Sequence, residues 1–244
     1  VTAGRRRLDR RTLITAAMAV VAVALLIDIR LDQPGEAPAP GPAHPTAADL
    51  RAPAWLVAAA RRVHFHTSTE PGVGEIESKP ASAAKPASST DLLPVGSVAP
   101  RFTLRTPEGA AVSLGSYRGR AVLLEFFATW CPHCQAEAGH LRRIALQLGF
   151  QRYAYLSVNG DGETAPSVYA FHRYFGLPYP ALLDPGGKPG SFSSAGTPGR
   201  VSKRYGLQSF PTFYVIGPTG RIVWRSDGEQ PDALLVAELR RAAG

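Results

Sequence analysis

The 244-residue sequence predicts an α/β domain: a mixed central sheet with helices on both faces, led in by a β-hairpin and carried on an N-terminal membrane anchor. Three observations predict it. From Leu92 onward, apolar runs of strand length alternate with longer segments of helical periodicity in the order β–α–β–α–(β)–α–β–β–α. The run Ala121–Phe127, AVLLEFF, is nearly all apolar, as a central strand buried on both faces must be. Before residue 92, five arginines and a charge-free stretch precede a Pro/Ala-rich tract that cannot build a packed core.

The five arginines are Arg5, Arg6, Arg7, Arg10 and Arg11, set against one aspartate in residues 1–11. The sixteen residues Thr12–Ile27 carry no charge and would cover roughly 24 Å as a helix. This arrangement predicts a basic cytoplasmic segment at 1–11 and a transmembrane signal-anchor at 12–29. A cleaved signal peptide is the alternative. However, a cut after Ala22-Val-Ala24 would fall inside the apolar run, and Ala37-Pro-Ala39 is followed by Pro40. Arg10-Arg11 faintly resembles a twin-arginine export signal. On every one of these readings the bulk of the chain is extracytoplasmic, in the periplasm or on the outer face of the cell membrane.

Residues 30–91 read as an extracytoplasmic linker. Within it, 53–65 has the composition of a short helix with Trp55, Leu56 and Ala59 on one side, or of a turn. The domain proper is 92–244. Phe102–Leu104 and Ala111–Leu114, separated by Pro107 and Gly109, predict the hairpin. Pro132 suits the first turn of a helix reaching about Leu148, with Leu141, Ile144, Ala145 and Leu148 on one face. Arg152–Val158 predicts a second parallel strand, 166–175 a helix and Ala181–Leu183 a short strand. The segment 184–200 is too rich in Gly, Ser and Pro for regular structure, and Val201–Tyr205 suits a helical turn. Thr212–Ile216 and Arg221–Arg225 flank a Gly217–Gly220 turn as a second hairpin. Pro231–Ala243 closes with a helix carrying Leu234, Leu235 and Leu239.

The net charge of +8 does not make a nucleic-acid binder, because about half of it sits in residues 1–11. The remaining arginines are scattered, without a basic run interleaved with aromatics. Partners are expected instead from the only two cysteines, in EFFATWCPHCQAE (125–137).

Cys131-Pro132-His133-Cys134 falls where the buried strand hands over to a helix, and there the free N–H groups and the helix dipole stabilise a thiolate. Cys131 is therefore the expected nucleophile, and Cys134 lies within reach to resolve a mixed disulfide, closing the Cys131–Cys134 disulfide. Trp130 immediately before the pair strengthens the redox reading. Zinc would need two more ligands, and His64 and His66 lie in the linker. A purely structural disulfide would close a very small loop. A peroxide-reducing cysteine would not need a partner three residues on. No metal or cofactor is expected, although Cu(I) delivery by the same dithiol remains an alternative.

The stretches VGSVAPRFTL (95–104), GRAVLLEFFATWCPHC (119–134), YFGLPYPALLD (174–184) and YGLQSFPTFYVIGPTGRIV (205–223) resemble the membrane-anchored TlpA/ResA-type thiol-disulfide oxidoreductases. The resemblance spans 94–244 and implies a thioredoxin-like fold. It implies that Pro211 is a cis-proline facing the cysteines, with the Phe210 backbone placed to receive substrate peptide. It also implies that Glu125 occupies the buried acidic position that moves a proton on or off the second cysteine, and that Glu137 matches a glutamate near the active site. Two departures stand out: Gly139 replaces the usual proline of the first helix, and 184–200 looks inserted.

The resemblance further implies client proteins with cysteine thiols or disulfides, served as a reductase fed by a membrane electron donor, as in cytochrome c maturation. His133 between the cysteines points the other way, toward a DsbA-type oxidant with a membrane acceptor. The interval 160–200 is too poor in helix for the insertion such oxidants carry, so reduction is the expected direction.

Overall fold

The computed structural model describes residues 52–63, 92–192 and 196–244. Its centre is β3 (Ala121–Phe127), whose seven residues are all buried. That is the physical meaning of the AVLLEFF run, since a strand covered on both faces has no solvent side to give to polar residues. β3 pairs in parallel with β4 (Tyr153–Asn159), which pairs in parallel with β5 (Ala181–Leu183). On its other side β3 pairs antiparallel with β6 (Thr212–Ile216), and β6 with β7 (Ile222–Asp227). β1 (Thr103–Arg105) and β2 (Ala111–Ser113) pair antiparallel, and β1 docks on β5 through Arg105 and Leu183. The result is one seven-stranded mixed sheet in the order β2-β1-β5-β4-β3-β6-β7.

Helices cover both faces. Leu141, Ile144 and Ala145 of α2 (Pro132–Leu148) and Leu235 and Leu239 of α5 (Asp232–Ala243) pack with Leu123, Tyr155 and Phe213. Leu234, the third leucine of α5, is 37% exposed. The opposite cluster takes Val168 and Phe171 from α3 (Ala165–Phe175) and Val201 from α4 (Arg200–Arg204), against Leu124, Phe126 and Leu156. Tyr205, Phe126 and Tyr214 fill its centre, with neighbouring ring centroids 5.1–6.3 Å apart.

The 184–200 segment contains no helix or strand among its described residues before Arg200, where α4 begins, but it is tied down at both ends. Asp184 is buried and accepts hydrogen bonds from the amides of Val201 (2.9 Å) and Ser202 (2.7 Å), holding the first turn of α4. Lys188 and Thr197 exchange backbone hydrogen bonds of 2.8 and 3.0 Å across the neck. Gly162, at φ +71°, passes Gly187 so closely that a β-carbon there would lie 2.4 Å from the Gly187 backbone. Only glycine meets both demands.

Residues 54–60, inside the tract read as linker, form α1 (Ala54–Ala60), which packs against α3. Leu56 is fully buried there, whereas Trp55, expected on the same side, is 60% exposed. An alanine-rich helix has a weak periodic signal, so its contact face is set by what it meets rather than by its own pattern. Among the described residues no helix is long and apolar enough to cross a membrane, and the span expected at 12–29 lies outside them.

If α1 is an integral part of the domain, Leu56→Ala should cost about 2–4 kcal/mol of unfolding free energy, read as a lower urea midpoint with an unchanged slope. An unchanged midpoint would mean that α1 is not docked in solution.

Candidate active site

Cys131 is the N-cap of α2, and its sulfur accepts the Cys134 amide hydrogen at 3.4 Å. Pro132 follows at the first helical position, where its missing N–H costs nothing. Both cysteines are free thiols in this structure, Cys131 only 3% exposed and Cys134 not at all. Their acidities diverge. Hydrogen bonding from the Cys134 thiol, aided by the first-turn amides of Cys134 and His133 and by the His133 charge, brings Cys131 down to about 7 against the cost of burial. Burial first, then the neighbouring Cys131, pushes Cys134 well above an ordinary thiol.

Across the sheet, β6 begins just after a cis Phe210–Pro211 peptide. The Cys131 thiol donates to the Phe210 carbonyl oxygen at 3.5 Å, so a main-chain acceptor stands beside the more acidic sulfur. Trp130, 44% exposed, donates its indole N–H to Asp161 at 2.6 Å.

Glu125 lies on the central strand opposite Ser157 of β4 and Phe213 of β6. It is 4% exposed and accepts a hydrogen bond from the Ser157 hydroxyl. Burial, opposed by that hydrogen bond and reinforced by Cys131, raises its pKa to about 7. Its charge in turn helps to hold Cys134 protonated. Glu137 is equally enclosed, within α2: one carboxyl oxygen accepts the Gln230 amide at 3.3 Å and the other has no partner. Burial, followed by the charges of Glu125, Glu229 and Asp232, raises it to about 8 against the Gln230 hydrogen bond.

His133 is the outlying member of the set. Its side chain is exposed and meets Glu229 at 2.5 Å, and that hydrogen bond raises the imidazole pKa. The structure thus gathers Glu125, Trp130, Cys131, Pro132, Cys134, Phe210 and Pro211 at one end of the sheet. Glu137 stands behind them and His133 faces solvent. Among the described residues no cluster of three His, Cys, Asp or Glu could hold a metal; His64 and His66 lie outside those residues.

Several contributors were missed from sequence. Ser157 and Glu229 carry no motif. Asp161 and Glu163 had a usable signal, since they directly follow β4 at the carboxyl end of the parallel strands, where α/β sites gather. Asp161 holds Trp130; Glu163 accepts hydrogen bonds from the Thr129 amide (2.7 Å) and hydroxyl, fixing the turn before Cys131. Cavities of about 20 and 240 Å³ are lined by other residues, the larger one by His172 and Tyr179, and neither is lined by a cysteine.

Residues 95–225 match the AhpC/TSA family. The chain belongs to that family. Among curated relatives it is 25% identical over 154 residues to the thiol-disulfide oxidoreductase ResA of Bacillus cereus, covering 63% of this chain and 82% of the relative. It is 32% identical over 128 residues to ResA of Geobacillus thermodenitrificans, covering 52% and 66%. Among solved structures, a candidate protein disulfide isomerase from Bacteroides thetaiotaomicron superposes with a TM-score of 0.53 at 27% identity, covering 62% of this chain and 91% of the other. A candidate thiol:disulfide interchange protein DsbE from Chlorobium tepidum gives 0.54 at 23%, covering 62% and 99%. The fold is thioredoxin-like, and the likeness to TlpA/ResA-type proteins holds across the domain.

The buried carboxyls set a pH dependence. Both titrate above the value of about 4.5 for a free glutamate, so the native state holds protons that the unfolded chain releases. Their contribution to stability is complete below about pH 4.5 and is lost as pH rises through about 7 and 8. Glu137→Gln should therefore flatten the fall of the urea midpoint between those limits, recovering on the order of 3 kcal/mol at the alkaline end. Parallel curves for wild type and variant would show that Glu137 ionises freely in the fold.

Proposed function

We propose that this protein is a membrane-tethered, extracytoplasmic thiol-disulfide oxidoreductase that reduces disulfides in client proteins, of the kind that serves cytochrome c maturation. The observation that carries the reading is the inequality of the two thiols. Cys131 is the acidic cap of a helix beside a main-chain acceptor, while Cys134 is buried, poorly acidic and within the field of a carboxyl group. The names of the ResA relatives support the same activity.

In the forward direction the Cys131 thiolate attacks one sulfur of a client disulfide. A Cys131–client disulfide forms and one client thiolate leaves. Cys134 then gives its proton to the Glu125 carboxylate and attacks the Cys131 sulfur, which releases the second client thiolate and closes Cys131–Cys134. Two electrons have passed to the client, and Glu125 returns its proton as the products depart. A membrane dithiol donor restores the reduced pair by the reverse exchange. Phe210 and Pro211 present backbone to the client strand, and Glu137 is a second buried carboxyl within the field of Glu125. The segments 1–11 and 12–29 act as cytoplasmic tail and anchor, supported by the arginine cluster and the charge-free run that follows it, and 30–91 acts as a tether that docks on the domain through α1.

One observation favours the opposite direction. The hydrogen bond to Glu229 raises the His133 pKa, and positive charge on that imidazole favours the Cys131 thiolate and with it the reduced form. The equilibrium potential of the Cys131–Cys134 couple in glutathione buffers decides. We expect a value near about −270 mV, and one near about −120 mV would overturn the reductase reading in favour of the oxidant. Cys134→Ser should stall as a Cys131–client disulfide, and Glu125→Gln should slow the second exchange by roughly 10²-fold near pH 7, measured by single-turnover kinetics.

A further inference from the structure

The 184–200 segment reaches the exchange site. Asp161, fully buried, accepts hydrogen bonds from the indole of Trp130 (2.6 Å) and from the amides of Gly190 (2.9 Å) and Ser191 (2.6 Å). One carboxylate therefore ties the residue preceding Cys131 to the loop. The next loop residue, Phe192, holds φ at 64°, a left-handed conformation that a bulky side chain rarely adopts without compensation. Its compensation is a contact: the Phe192 ring meets the Phe210 ring edge-on, with centroids 5.0 Å apart. Phe210 is the residue whose carbonyl stands 3.5 Å from the Cys131 sulfur. Its ring is backed by Gly160, where a β-carbon would lie 2.9 Å from it. Phe210 is thereby held from behind and capped in front, yet Phe192 stays 40% exposed and Trp130 44% exposed. One buried carboxylate thus holds exposed Trp130 directly and, through the amides of Gly190 and Ser191, the loop that carries Phe192.

We propose that Phe192 determines client specificity: its exposed ring, seated edge-on against Phe210, favours client segments carrying a bulky apolar side chain next to the reacting cysteine. The occupant is an extended peptide whose main chain lies along Phe210 and whose flanking side chain packs on the Phe192 ring. This rests on the thiol-disulfide exchange reading above. A glycine would hold this left-handed backbone without strain, so the ring at position 192 is accounted for by its contact with Phe210 rather than by the turn.

The test uses two homodimeric peptide disulfides that differ only in the residue after cysteine, phenylalanine in one and serine in the other. Each is reacted in a single turnover with the prereduced protein. Wild type should prefer the phenylalanine peptide by about 3–10-fold in second-order rate, the range of one aromatic pair. Phe192→Gly should bring that ratio to about one while keeping or raising the melting temperature, since glycine relieves the left-handed backbone. Phe192→Leu should retain part of the preference. A wild-type ratio of about one, or a ratio unchanged in Phe192→Gly, would overturn the proposal. Failure of the prereduced wild type to react with hydroxyethyl disulfide would instead remove the exchange reading on which it rests.

Discussion

The Cys131 sulfur sits on the first turn of α2 and accepts the Cys134 amide, and much else in the domain serves that contact. A helix beginning directly behind a buried strand leaves its first amides without intrahelical partners. A sulfur at the N-cap satisfies one of them and gains the field of the helix in return. β3 holds the strand end rigid by burial on both faces. Gln135 donates to the Thr129 carbonyl at 2.9 Å and Glu163 takes the Thr129 amide, so the turn into the helix is fixed from two sides. The cap places one thiol at the helix start and, three residues on, drives the other into the interior. The difference in their acidity follows from the hydrogen bond between the two thiols and from the deeper burial of Cys134.

Around that junction the fold keeps two carboxyls where water cannot reach them. Glu125 is enclosed because β3 is central, and Glu137 is buried on α2 where the Gln230 amide meets it. Each is held near neutrality by burial rather than by a cation. That environment suits groups which exchange protons with a poorly acidic thiol, and it opposes folding at alkaline pH. The stability given up at these positions is characteristic of functional sites.

Asp161 joins this centre to the 184–200 loop. Its carboxylate is shared by Trp130, Gly190 and Ser191, so indole and loop take up their positions together. Asp184 does the same at the far end through the first turn of α4. A segment poor in regular structure is thereby held by two buried acids and a narrow neck.

What the sequence by itself determined was the kind of chemistry and the frame that carries it. The AVLLEFF run, the Cys-Pro-His-Cys junction and the helical periodicity after Pro132 are local patterns, and each could be read from a few neighbouring residues. The strands and helices consequently fall within a residue or two of expectation, with β4 displaced by one position to end at Asn159. The tertiary structure decided everything that joins distant parts of the chain. The burial of Glu137, the pairing of His133 with Glu229, the docking of Leu56, and Phe192 lying on Phe210 all depend on partners 18 to more than 100 residues away. No local pattern encodes such contacts, because the energy of a buried carboxyl or an exposed ring is set by what the rest of the chain brings beside it.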